Sequence, residues 1–304
     1  MELFKHQFSA MASRCEFQSF AENSLTAAEY AEKVIAEVLR IEKRFSRYDE
    51  ASALSLINRS AGSADGINLD SETAALMDFA ALAYAQSDGL FDITSGVLRR
   101  VWDFQRGLVP SAGQIAEVLP SVGWLKVVWR SPTVFLPSGM ELDFGGFGKE
   151  YAVDRGCGIA VEAGCQSGLL NLGGDVRAFG LRPDGKAWSI GITHPRKPES
   201  VTAYLPIKSG ALATSGDYER FFEANGKRYC HILNPRTGWP VSEMQSVSVF
   251  SPSCLVAGTL ATIAMLKGAE AGVRFLRESK VAAMVIAGDS IGGVPRCLSI
   301  SAAA

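Results

Sequence analysis

A glycine-rich run that opens a helix is the first feature of this sequence with chemical potential: Phe144-Gly-Gly-Phe-Gly-Lys149, followed by Glu150. Glycines at a helix N-terminus expose backbone N–H groups, and such groups hold anions such as phosphate. The run is not a P-loop. Asp143 stands where the first glycine belongs, and Glu150 replaces the Ser or Thr that would reach Mg²⁺. Taken alone, a tight strand-to-helix turn explains these residues equally well. Four more segments set Gly and polar residues beside apolar runs: Ser87–Gly96 (SDGLFDITSG), Asn171–Arg177 (NLGGDVR), Thr214–Tyr218 (TSGDY) and His231–Gly238 (HILNPRTG). Each alone reads as a capped loop, with Asp and Asn closing turns and Gly supplying positive φ. Together they point to several loops converging on one anionic ligand. His231 is the candidate general base among them, since imidazole titrates near pH ~6.5. Lys149, Arg177 and Arg236 are candidate phosphate partners, or else structural ion pairs.

Other chemistries are excluded by what the sequence lacks. The 304 residues contain three His (His6, His194 and His231), and no HExxH occurs, which argues against a zinc or iron site of several imidazoles. No GxGxxG follows a strand and no GxSxG occurs, so a dinucleotide fold and a serine hydrolase are disfavoured. Lys+Arg number 30 against Asp+Glu 32, a net charge of −2, so no nucleic-acid partner is expected. The six Cys include no CxxC pair and read as small buried hydrophobes of a reducing compartment. Lys5, His6, Arg14 and Glu16 interrupt any leader-like apolar core, and Arg14 precedes Cys15 where a lipoprotein signal would be apolar. The most apolar stretch, Leu255–Leu266, is shorter than the ~20 residues that span a bilayer. A cytoplasmic chain with no membrane insertion is the expectation.

The elements that must position these residues are legible in part. Thr26-Ala-Ala-Glu29 reads as a capping box before an apolar stripe of Tyr30, Val34, Val38, Ile41 and Phe45. A second helix starts at Asp70 or Ser71 and ends near Gly89. Gly148–Gly164, Cys254–Leu266 and Ala269–Glu278 read as helices. Lys126–Trp129, Thr133–Leu136, Gly168–Leu172, Lys186–Thr193, Val201–Ile207, Tyr229–Leu233, Ser246–Ser251 and Val281–Ile286 read as strands. Interleaved without a strict βαβ series, they indicate mixed α/β or α+β structure with no linker to split it.

Seven motifs, in order, make the chain resemble the FAD:protein FMN transferase (ApbE-like) family. Phe8–Ser13 (FSAMAS) resembles its opening segment, Phe45–Asn58 (FSRYDEASALSLIN) its S-x-Y segment and Gly89–Thr94 (GLFDIT) its G-x-F-D-x-T. Leu142–Asp154 (LDFGGFGKEYAVD), NLGGDVRAFG, ATSGDY and HILNPRTGWP follow in the family's order. The resemblance implies one α+β domain over residues 1–304, a mixed, mostly antiparallel sheet with flanking helices. It implies FAD as ligand and Mg²⁺ as metal. FMN would pass from FAD to a Thr or Ser hydroxyl of an acceptor flavoprotein, with AMP released. Some relatives hydrolyse FAD or only hold it, and these two readings stay open here.

Carried over by position, Met11, Tyr48, Leu90, Phe91, Asp92, Gly145, Tyr151 and Ile232 contact FAD. Gly148, through its carbonyl, and Thr262 hold the metal, and His231 with Thr262 serves catalysis. The chain departs from the family at three positions: Gly258 stands where an aspartate metal ligand is usual, Asn234 replaces an Asp, and Glu150 replaces a Gly. Mg²⁺ prefers anionic oxygen ligands. Without that Asp, water and the pyrophosphate would have to complete the metal shell, unless another carboxylate, such as Asp217 or Glu243, substitutes.

Overall fold

The computed structural model describes residues 1–287 and 297–302. In chain order the helices are α1 (Ser24–Phe45), α2 (Ala53–Arg59), α3 (Ser71–Gln86), α4 (Ala112–Val118), α5 (Gly148–Glu162), α6 (Cys254–Lys267) and α7 (Ala269–Glu278). The strands are β1 (Glu2–Ala10), β2 (Ser13–Ala21), β3 (Ile67–Asn68), β4 (Val128–Arg130), β5 (Thr133–Phe135), β6 (Gly168–Leu172), β7 (Asp175–Phe179), β8 (Trp188–His194) and β9 (Lys197–Ile207), then β10 (Gly210–Gly216), β11 (Phe221–Ala224), β12 (Lys227–Cys230), β13 (Met244–Ser251), β14 (Ala282–Ala287) and β15 (Cys297–Ile300). Eight strands form the main sheet in the order β1-β2-β6-β7-β10-β13-β14-β15, and its paired neighbours run antiparallel. The expected α+β class with a mostly antiparallel sheet is what the chain adopts.

Both faces of that sheet are buried, and the strand alternation assigns each residue its side. Leu170, Leu172, Ala211, Ala213, Val247 and Val249 face the core shared with α1, α5 and α6. Their neighbours Leu169 and Leu212 face a second core, closed by Trp188, Ile190, Ile192 and Ile207 of the β8–β9 hairpin. On the helical side, α1 buries the stripe Ala27, Ala31, Val34, Val38, Ile41 and Phe45. It crosses α5 closely at Gly156, where a Cβ would stand 2.6 Å from Leu170 Cδ2, with Val34 and Val38 next nearest. A third core under the 3₁₀ segment Ile93–Arg100 gathers Val97, Leu98, Trp102, Ile115 and Tyr229. Five cysteines are buried and free; Cys297 is exposed. Among the described residues no helix is long and apolar enough to cross a membrane.

Several boundaries differ from the sequence reading, and three of the differences are instructive. Helix α1 starts earlier than its apparent capping box, because Asn23 Oδ1 already accepts the Thr26 amide at 2.9 Å and absorbs Thr26–Glu29 into the helix. The strand expected over Tyr229–Leu233 stops at Cys230, where the His231 amide turns to the Arg220 carbonyl at 2.9 Å. Trp124–Lys126 is a 3₁₀ turn, and its strand begins at Val128.

Candidate functional site

The glycine-rich run forms the entrance to α5. Phe144 and Phe147 are buried with ring centroids 5.2 Å apart, and Phe45, Phe79 and Phe91 pack around them. That aromatic anchor holds Gly145 and Gly146 at the surface as bare backbone. A Cβ on Gly145 would stand 3.0 Å from Asp143 Oδ1, and one on Gly146 would stand 3.2 Å from Phe91 Cζ. The turn is therefore a cradle that side chains would fill. Gly148 begins the helix, its amide bonded to the Phe144 carbonyl at 2.7 Å.

Other motif loops meet this entrance. Lys149 Nζ pairs with Asp175 Oδ2 at 2.7 Å, and Asp175 Oδ1 accepts the Thr214 amide at 3.2 Å. The NLGGD and TSGDY segments are thereby tied to the first turn of α5. Burial alone would lower the Lys149 pKa, yet the charges of Asp175 and Glu150 hold it above the usual lysine value. A Cβ on Gly173 would lie 2.6 Å from Ser13 Oγ and 3.7 Å from Lys149 Nζ, so the β1–β2 turn sits here too. That turn places Met11 and Ala12 at φ of 51° and 55°, a left-handed conformation uncommon without glycine. The Met11 amide donates to Glu42 Oε1 at 2.6 Å, which helps hold it. Strained backbone of this kind gathers at functional positions.

Asp143 connects the S-x-Y segment: Arg47 Nη1 pairs with its Oδ2 at 2.8 Å, and Arg99 Nε lies 3.4 Å away. The HILNPRTG loop joins through Arg236, which donates to the Asp88 carbonyl, while Lys267 pairs with the Asp88 carboxylate at 2.6 Å. His231 is half-buried, with Nδ1 3.3 Å from the Arg220 carbonyl. Burial, then Arg99, Arg220 and Lys149, push its pKa down to about 4. The ring is neutral at physiological pH and free to accept a proton, but it is a weaker base than an unperturbed imidazole.

The remaining predicted contacts fall into different settings. Leu90, Phe91 and Ile232 are buried core residues. Asp92 is also buried, and its carboxylate is consumed locally by Thr94 N (2.8 Å), Thr94 Oγ1 (2.6 Å) and Trp124 N (2.9 Å). It shapes the loop and has little capacity left for a ligand. Tyr48 stands 82% exposed beside the Arg47 guanidinium. Tyr151 donates its hydroxyl to Glu72 Oε1 at 2.8 Å. Burial and that partner raise its pKa. It lines a surface groove of ≈ 680 Å³ with Glu37, Arg40, Glu72, Phe79 and Leu255. Asn234 closes the HILNPRTG turn, its Oδ1 accepting the Arg236 amide at 2.9 Å. An amide oxygen does this as well as a carboxylate, so the exchange of Asp for Asn leaves the turn intact.

Helix α6 carries the position expected to ligate metal, and Asp154 fixes its start. That carboxylate accepts Ser253 Oγ (2.7 Å), Cys254 N (2.9 Å) and Leu255 N (2.9 Å), and pairs with Arg177 at 2.7 Å. Arg177 is thus a structural partner. Gly258 and Thr262 follow one turn apart on one helix face. Thr262 Oγ1 lies 2.6 Å from Ser215 Oγ. Neither carboxylate suggested as a replacement at position 258 is free for the task. Asp217 is held by both Arg196 guanidinium nitrogens at 2.7 Å, and Glu243 accepts the Ala269 amide at 2.8 Å. A Cβ on Gly258 would instead stand 2.5 Å from Glu150 Oε1. Burial and the neighbouring Asp175 charge push the Glu150 pKa up, with Lys149 opposing. Among the described residues no three His, Cys, Asp or Glu side chains gather as a metal site. The donors near α6 are hard oxygens, which suit Mg²⁺ rather than a soft metal. Asp154, Asp175 and Ser215 were not singled out from the sequence, although all three lie inside quoted motifs, LDFGGFGKEYAVD, NLGGDVR and TSGDY.

The fold is shared with relatives of known structure. A model of the ApbE family matches residues 11–285, and the chain belongs to that family. It is 32% identical to a FAD:protein FMN transferase of Treponema pallidum over 81% of this chain and 74% of that one. It is 29% identical to one of Escherichia coli over 87% and 79%. The crystal structure of the ApbE protein of Thermotoga maritima superposes with a TM-score of 0.89 at 30% identity, covering 97% of this chain and 96% of that one. The apo flavinyl transferase ApbE of Pseudomonas stutzeri gives 0.87 at 27% identity, covering 99% and 95%.

Proposed function

We propose that this chain, as one domain over residues 1–304, transfers FMN from FAD to a Thr or Ser hydroxyl of an acceptor flavoprotein and releases AMP. The observation that carries this reading is the convergence of the motif loops on the entrance to α5, where the exposed Gly146 amide is open to a pyrophosphate beside Gly145, whose own amide donates to Asp143 Oδ1 at 2.8 Å. FAD is held between that turn and the β1–β2 turn at Met11, with the Gly89–Thr94 and HILNPRTG loops completing the cradle. Lys149 is the nearest fixed positive charge, and it is already shared with Asp175. Backbone N–H groups must therefore carry much of the anion binding.

In the reaction, the acceptor oxygen bonds to the FMN phosphorus, the phosphoanhydride bond breaks and AMP departs. The hydroxyl proton passes to His231, whose neutral ring can take it. Mg²⁺, when bound, would supply neutralisation of the charge developing on the phosphates. Gly148, Thr262 and a carboxylate identified below would hold it. The test incubates the protein with FAD, Mg²⁺ and an acceptor domain. Covalent fluorescent flavin on the acceptor together with AMP supports the reading. AMP with only free FMN identifies water as the acceptor, and neither product rejects catalysis.

A further inference from the structure

We propose that Glu150 is the carboxylate ligand of the divalent cation in this chain, reaching from the first turn of α5 into the space above Gly258 of α6. The inference rests on the proposed function for the identity of the site and goes beyond it in naming the ligand. Four carboxylates are buried among the described residues: Asp92, Glu150, Asp175 and Asp217. Three are partnered. Asp92 holds a loop, Asp175 holds Lys149 and the Thr214 amide, and Asp217 holds Arg196. Glu150 is 8% exposed; its carboxylate has its own backbone amide and the nearby Lys149 charge, but no hydrogen bond to another residue and no ion pair among the described residues. A buried carboxylate without a partner is costly and calls for one.

Its position is fixed by the helices. Oε1, Cγ and Cδ of Glu150 would lie 2.5, 2.6 and 2.8 Å from a Cβ on Gly258, so any side chain at 258 would occupy the place Glu150 now fills. Gly258 therefore leaves free the space that Glu150 fills, and the two departures from the family pattern read as one exchange. The acid has moved from α6 to α5 while pointing into the same corner. The first turn of α5 then offers both the Gly148 carbonyl and the Glu150 carboxylate, and α6 offers the Thr262 hydroxyl. Carbonyl, carboxylate and hydroxyl oxygens are the donors a hard divalent ion takes.

Mn²⁺ provides the test, with the full chain titrated and free Mn²⁺ followed by its paramagnetic resonance signal. The wild type should bind Mn²⁺, and Mg²⁺ should displace it. Glu150→Gln keeps the shape and removes the charge, and circular dichroism checks its fold. Losing an outer-shell partner costs about tenfold in metal affinity, so loss of a direct ligand should cost at least that. The double variant Glu150→Gly with Gly258→Asp should recover binding over Glu150→Gly alone. A wild type that binds no Mn²⁺, a Gln variant within about twofold of it, or a double variant without recovery each overturns the assignment. Glu150-dependent Mn²⁺ binding without flavin transfer would leave the assignment standing and remove the proposed function.

Discussion

Substituting Gly258 by Ala reads out the contact between α5 and α6 as a coupling energy. In the wild type the new methyl would press on Glu150 at 2.5–2.8 Å, closer than carbon and oxygen atoms pack. Overpacking of a buried site costs about 1–3 kcal/mol. Glu150 is a flexible side chain that can swing aside, so the lower part of that range applies. Against this, Gly→Ala in a helix gains about 0.4–1 kcal/mol by restricting the unfolded chain. Gly258→Ala should thus be neutral or destabilising by up to about 1.5 kcal/mol in the wild type. In a Glu150→Ala background the obstruction is gone and the same change should stabilise by about 0.4–1 kcal/mol. The coupling, about 1–2 kcal/mol, is measured by urea denaturation of the four proteins of the cycle. Effects that add to within about 0.5 kcal/mol would falsify the proximity on which the ligand exchange rests.

Glu150 also sets a pH dependence. Its folded pKa lies above its unfolded one. The stability linked to it is complete below the ordinary carboxylate range and is lost as pH rises through the folded value, with a slope of at most ~1.4 kcal/mol per pH unit. Glu150→Gln should flatten that decline in denaturation midpoints taken between pH 5 and 8. Asp154→Ala removes the carboxylate that supplements the Ser253 cap of α6 by accepting the Cys254 and Leu255 amides, and it leaves Arg177 without its partner. A cap is worth ~1 kcal/mol and a charge-assisted hydrogen bond ~1.5–3, so a loss of about 3 kcal/mol is expected in chemical denaturation. With the His231 pKa near about 4, the transfer rate should show no titration of this ring between pH 6 and 8. His231→Ala should lower the rate by roughly 10²-fold or more at fixed FAD, as loss of a general base does. A rate inflection near pH 6.5 that vanishes in His231→Ala would contradict the shifted value.

Much of the fold was legible where one period dominated. The α1 stripe of Val34, Val38, Ile41 and Phe45, the apolar run of α6 and strand β6 match their sequence readings, and β13 starts at Met244 rather than at Ser246. The β1–β2 hairpin was missed because Phe4, His6 and Phe8 alternate with polar residues on a half-exposed edge, and no Gly marks its turn. Met11 and Ala12 adopt that left-handed turn through tertiary support rather than local propensity. In the site, the glycine turns and His231 were visible as residue types. The local pKa of His231 was not, since Arg99 and Arg220 approach it only in the folded chain. Gly258 and Glu150 each looked like an isolated departure. Only the packing of α5 on α6 shows that one answers the other, and helix packing has no signature in a single sequence.

The central claim is transfer, and it is decided by intact-mass analysis of an acceptor domain after incubation with this protein, FAD and Mg²⁺. A mass gain of one FMN moiety on a Thr or Ser is expected, with one AMP released for each flavin attached. An acceptor of unchanged mass beside fully folded, FAD-saturated protein would contradict it.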